Sequence, residues 1–206
     1  MGLREVRAGL ALSVASIVWT VGASAESIAV GVGARSLVLI AFGAVGVFDA
    51  VGSIVLVTHF RHALRHEVIH EGRERVAQLV VGTGLSIVGT VSLAGGIYRL
   101  VGGQHTKEQV AGLVVAGLSV VALAFLGTAK RRYGKRIPSR ALAADGGLSL
   151  IGALAASAAL AGAGLNDAFG WWWSDPAAAC AIAIGALAIA VATLRANDAP
   201  APDGGG

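Results

Sequence analysis

Charged side chains are scarce in this sequence. They make up 14% of its 206 residues, against about 25% in an ordinary soluble domain. Such a chain has too little polar surface to hide its apolar residues inside a water-soluble globule. Cysteine occurs once, at Cys180, so no disulfide can close within the chain and the redox compartment stays undetermined. Proline is equally sparse, at 4 residues. No phosphate-binding glycine loop, nucleophile–base pair or established metal-enzyme motif occurs, and an enzyme is not expected.

What is present is apolar length. Hydrophobic residues make up 55% of the chain, and the mean hydropathy is +0.74. Glycine is abundant, at 30, as suits helices that approach closely in lipid. A helix needs about 20 mostly apolar residues to cross a bilayer. The segments Val6–Gly31, Ser36–Thr58, Val76–Tyr98, Val110–Ala129, Ala141–Leu165 and Pro176–Leu194 qualify. None alternates as barrel strands do, and helices satisfy their own backbone groups in lipid. The expected fold is therefore all-α, a polytopic membrane protein with a six-helix transmembrane bundle over residues 1–195. The remainder, 196–206, reads ANDAPAPDGGG and is expected to be a disordered cytoplasmic tail.

The net charge of +4 and pI near 9.8 would suit a nucleic-acid partner if the basic residues formed a patch. They gather instead at the ends of apolar segments, so no nucleic acid is expected. With the N-terminus inside, thirteen of the 16 Lys and Arg residues face the cytoplasm, and only Arg35, Arg99 and Lys107 face out. This bias predicts a multi-pass protein of the plasma (inner) membrane with both termini cytoplasmic. A rival reading takes Arg4, Arg7, the run Ala8–Val21 and Ala23-Ser24-Ala25 as a cleavable signal peptide, leaving five spans. Apolar character continues through Val32, which favours an uncleaved first helix.

Acids inside apolar spans are costly and mark partners or cavities. Asp49 lies ten residues before His59, about 15 Å from that helix end. Asp145 lies five residues after Arg140, about 8 Å from the same edge. Ser149, one turn beyond Asp145, reaches nearly the depth of Asp49. Two antiparallel helices would bring these oxygens to one polar site suited to a divalent cation, a proton or both. Equally, either aspartate can cap a helix, and Asp145 can snorkel to the interface. Glu26, near the outer end of the first span, is a third acid that also fits an interfacial position.

The second loop carries His59, His62, His66 and His70 at steps of three, four and four, which align four imidazoles on one helical face. That face suits an accessory metal site, or is a solvated helical extension flanked by Arg and Glu. His105 has no evident partner. Gly102-Gly103 reads as a turn. Trp171, Trp172 and Trp173 suit the membrane interface, Asp175 suits a cap, and Pro176 suits a first helical turn. The run Lys130–Arg136 could bind anionic lipid, although its place on the inner side already accounts for it.

Three stretches together resemble the transmembrane domain of the cation diffusion facilitator (cation efflux) family. Phe42-Gly43-Ala44-Val45-Gly46-Val47-Phe48-Asp49 is similar to the second helix of a bacterial branch. AKRRYGKRIPSRALAADG is similar to that branch's basic loop and the start of its fifth helix, and WWWSDP to its Trp-Trp-x-Asp-Pro. The resemblance spans about residues 8–195. It implies a divalent metal/proton antiporter with six helices and a site between the second and fifth. Asp49, Asp145 and Ser149 match ligand positions, while Val45 replaces a further ligand and no counterpart of the family's usual cytoplasmic C-terminal domain is expected. The expected partners are the lipid bilayer, a divalent cation (zinc, iron or manganese), a proton and a second copy of the chain as a homodimer. No cofactor beyond the transported cation is expected. The alternative is a non-transporting scaffold or accessory subunit on a degenerate transporter fold.

Overall fold

The structure is a computed structural model that describes residues 3–64, 71–107, 110–136 and 140–198. These form six helices: α1 Leu3–Ala34, α2 Leu37–Leu64, α3 Glu71–Gly102, α4 Val110–Arg136, α5 Arg140–Phe169 and α6 Ser174–Asp198. Each contains an apolar stretch of 18 to 24 residues, enough to cross the roughly 30 Å hydrocarbon layer. Every expected span is found, and each helix is longer than its apolar core. Helix α1 runs unbroken through Ala23-Ser24-Ala25. A Cβ on Gly43 of α2 would come within 2.7 Å of the Ser24 carbonyl oxygen, so that stretch is an integral part of the packing. Helix α6 continues to Asp198, and residues 199–206 lie outside the described residues.

Polarity is distributed for lipid rather than for water. Val18, Val91, Val121, Phe125 and Leu154 are exposed, while small residues fill the interior. Ala116, Ala156, Ala159, Ala163, Ala179 and Ala190 are all fully buried. Oil outside gives no drive to bury leucine, and close backbone approach supplies the attraction instead.

Helices α1, α2, α5 and α4 form a closed ring in which each packs on the next, and the pair α3–α6 lies against α2. The α3–α6 seam is a seven-residue repeat. Gly82, Gly89 and Gly96 of α3 face Leu194, Leu187 and Cys180 of α6. Cysteine here is a packing residue. In α4 and α5 the backbones meet directly: a Cβ on Gly127 would lie 2.9 Å from the Gly146 carbonyl oxygen, and one on Gly146 would lie 2.8 Å from that of Gly127.

Successive helices run in opposite directions, so that α2 and α6 start at the same end, and the bundle has two distinct ends. Arg131, Arg132, Lys135 and Arg195 lie where α4 and α6 finish, here termed the basic end. At the opposite end the chain passes from α1 to α2 through Arg35, a non-glycine residue with φ of 55°. The Ser36 N–H donates to the Gly31 carbonyl at 2.8 Å, closing the end of α1.

Candidate site between helices two, four and five

Helices α2 and α5 pack against each other, as a site shared between them requires. Their common core joins Val38, Leu39 and Phe42 of α2 to Ala156, Ala159 and Ala163 of α5. Asp49 and Ser149 both lie beyond that cluster on its basic-end side, each seven residues past it, from Phe42 and from Ala156 respectively. Asp49 is partly buried and engages a partner. Ser149 is buried at 1% exposure. The backbone of Asp145 is helical, but its side chain lies outside the described residues. Val45, one turn from Asp49, is partly buried and packs against both apolar clusters of the bundle.

Sequence reasoning missed one member of this site. Hydropathy places Lys130 in a basic loop after a span ending at Ala129, yet α4 runs on to Arg136. Its buried face is Ala116, Ser119, Leu123, Leu126 and Lys130, stepping by three, four, three and four. That is the period of a helix face turned to its neighbour. Lys130 is fully buried (0% exposed), and its Nζ donates a 3.1 Å hydrogen bond to Ser149 Oγ. Arg131 and Arg132, one and two positions on, are exposed. The signal was in the register: Lys130 alone of the three continues the Ser119–Leu126 face.

A row of hydroxyls also escaped notice. Ser13, Ser16, Thr20, Ser24 and Ser27 occupy one face of α1 at helical spacing, and all are buried. Hydroxyls of Ser16, Thr20 and Ser27, with that of Ser119 on α4, have no hydrogen-bond partner among the described residues. Glu26 is exposed, on the wall of a groove of about 500 Å³ between α1 and α4 that also includes Trp19 and Val115.

The histidine face falls largely outside the described residues. His59 and His62 are on the last turns of α2, but their side chains, and all of His66 and His70, are not described. Among the described residues no three of His, Cys, Asp and Glu come together. At the opposite end, His105 does have a neighbour, the Trp172 ring at 6.1 Å between centroids. Trp171 and Trp173 stack at 5.5 Å. Asp175 reaches beyond its own helix: its carboxylate accepts from the Ser36 hydroxyl and, at 3.0 Å, from the Leu37 N–H at the start of α2.

The sequence matches the family model of the cation efflux transmembrane domain over residues 13–197. That span runs from the first hydroxyl of α1 to the end of α6 and takes in every site residue named above. Comparison with curated proteins gives no significant match.

Proposed function

The chain belongs to the cation efflux family of membrane transporters, and from that premise we propose that it exports a divalent cation in exchange for a proton. Members of this family are transporters, not enzymes. The proposed site lies between α2 and α5, with Asp49 and Asp145 as ligands and proton carriers and Ser149 as a neutral oxygen. One observation carries the reading: a partly buried carboxylate, Asp49, sits in a membrane-crossing helix that packs on the helix bearing buried Ser149. An intramembrane acid without a function would be costly to keep. Oxygen donors favour a hard or borderline ion such as manganese, iron or zinc. Rocking of one part of the bundle against the other would open the site to either side in turn. Homodimerisation, the plasma membrane and cytoplasmic termini complete the proposal.

Purified protein in proteoliposomes tests it. A Zn2+, Mn2+ or Fe2+ gradient should drive proton movement in the wild type, and Asp49→Asn and Asp145→Asn should each abolish it while leaving folding intact. Metal-driven proton movement unaffected by either substitution would overturn the assignment. A second reading has an observation of its own. Val45, at a ligand position of the family, is part of the apolar packing between clusters, which favours a non-transporting scaffold. Absence of uptake for every ion in the wild type would support that reading.

A further inference from the structure

The bond between Lys130 and Ser149 puts a positive charge where the cargo's own charge is expected. Ser149 Oγ is buried and accepts from an ammonium group that is itself fully buried. An ammonium group inside a membrane bundle is retained only where oxygen acceptors compensate it. The same feature, oxygen acceptors turned inward with little water, is what a metal ion needs. A divalent ion on Ser149 and an ammonium on the same oxygen would repel each other strongly in so dry a setting. One must leave before the other binds.

We propose that Lys130 is a tethered cation that fills the transport site when it is unloaded and is displaced from Ser149 when a divalent cation binds. This rests on the reading that Ser149 and Asp49 belong to the cation site. Lys130 is well placed to withdraw. It stands near the basic end of α4, next to the exposed Arg131 and Arg132. A lysine stem is long and flexible enough to carry its head towards the aqueous edge while the stem stays on apolar surface. Displacement sets a threshold: only an ion whose charge exceeds that of the ammonium, and which the acids can hold, takes the place. A monovalent ion gains little by the exchange. Lys130 is thus a specificity-determining residue of the site, acting by occupancy.

The composition makes this directly measurable. The chain has three lysines, Lys107, Lys130 and Lys135, of which Lys107 and Lys135 are exposed and serve as internal references. The wild-type protein in lipid nanodiscs is treated with an amine-acetylating reagent, with and without saturating Zn2+ or Mn2+, and each lysine is followed by mass spectrometry. Without metal, Lys130 should react at least tenfold more slowly than either reference. With metal, its rate should rise at least fivefold while the references hold steady. Metal binding is then measured in variants. Lys130→Gln, which keeps a donor and loses the charge, should lower the Kd for Zn2+ at least tenfold. Lys130→Arg should bind as weakly as the wild type, and Asp49→Asn should cancel the gain of Lys130→Gln. If metal binds through Asp49 but Lys130 stays protected, or Lys130→Gln leaves Kd unchanged, the displacement is overturned and the cation site stands. If neither wild type nor Lys130→Gln binds metal, or binding ignores Asp49→Asn, the site reading itself fails and the inference falls with it.

Discussion

Asp175 and Ser36, 139 residues apart in the chain, are joined by a hydrogen bond buried at the end of the bundle opposite the basic end. The same carboxylate accepts from the Leu37 N–H, and Arg99 acts on it electrostatically. A residue in the first turn of α6 therefore caps the start of α2, where helix N–H groups lack partners and a negative charge is favoured. Asp175→Ala would take away the acceptor of the buried Ser36 O–H and of the partly buried Leu37 N–H, the Ser36 oxygen still accepting from the Leu39 N–H. Each such group costs about 1–3 kcal/mol, so a loss of roughly 3 kcal/mol is expected in reversible denaturant unfolding. Asp175→Asn, which keeps one acceptor, should lose about half as much. An unchanged unfolding midpoint for Asp175→Ala would show that the bond does not hold α2 to α6.

Gly146 and Gly147 are adjacent on α5 and differ only in what a methyl group would meet. At Gly146 a Cβ would lie 2.8 Å from the Arg131 N and from the Gly127 carbonyl oxygen, both backbone atoms of α4 that cannot turn aside. At Gly147 nothing lies within 4 Å. Gly146→Ala should therefore push α4 and α5 apart and destabilise by about 1–3 kcal/mol. Gly147→Ala should stabilise by roughly 0.5–1 kcal/mol, because glycine is the costlier residue in a helix. Thermal unfolding of the two variants in one detergent decides it. Equal shifts in the two would mean the close approach is absent.

Much of the architecture was legible because the bilayer is a strict solvent. It demands about 20 apolar residues per crossing, and it makes a single carboxylate such as Asp49 conspicuous. Lys130 was not legible on the same terms. It begins a run, Lys130-Arg131-Arg132, that reads as an interfacial basic cluster, and hydropathy cannot tell a cation at the end of a span from one turned inward. Only the three–four step from Ser119 and Leu126 separates it from its neighbours, and that step matters only once α4 is known to continue. Asp175 failed for another reason. With Pro176 after it, local rules assign it to the start of its own helix, and no local rule reaches Ser36. The hydroxyls of α1 were hidden by their ordinariness, since serine inside apolar helices is common in membranes.

Buried hydroxyls across the bundle divide into those with a hydrogen bond and those without one among the described residues, and substitution should separate them. Ser174 Oγ donates to the carbonyl oxygen of Gly162 at 2.8 Å or of Trp171 at 2.6 Å. Ser27 and Ser119 have no hydrogen-bond partner among the described residues. Ser174→Ala should cost about 1 kcal/mol. Ser27→Ala and Ser119→Ala remove a buried hydroxyl that has no hydrogen bond among the described residues, so they should be neutral or stabilising by up to about 1 kcal/mol. Unfolding midpoints of the three variants, measured side by side, give the comparison. A loss at Ser119 as large as that at Ser174 would show that its hydroxyl is satisfied.

The proposed orientation in the membrane rests on charge, and the structure supplies the probe positions that test it. Thirteen of the 16 Lys and Arg residues belong to the side assigned to the cytoplasm, and such a bias sets topology because basic segments resist translocation. The opposite end is tied together by the Lys107 N–H, which donates to the Ala34 carbonyl at 2.9 Å, and by the contact of His105 with Trp172. His105 is exposed there, so a thiol at that position can be reached without unfolding. In a Cys180→Ala background, which removes the one native thiol, His105→Cys should react with a membrane-impermeant maleimide applied to intact cells. Asp167→Cys, in the last turn of α5, should react as well. Arg65→Cys, in the segment between α2 and α3, should react only after the cells are opened. Labelling of Arg65→Cys from outside, with His105→Cys protected, would invert the topology and with it the direction of export.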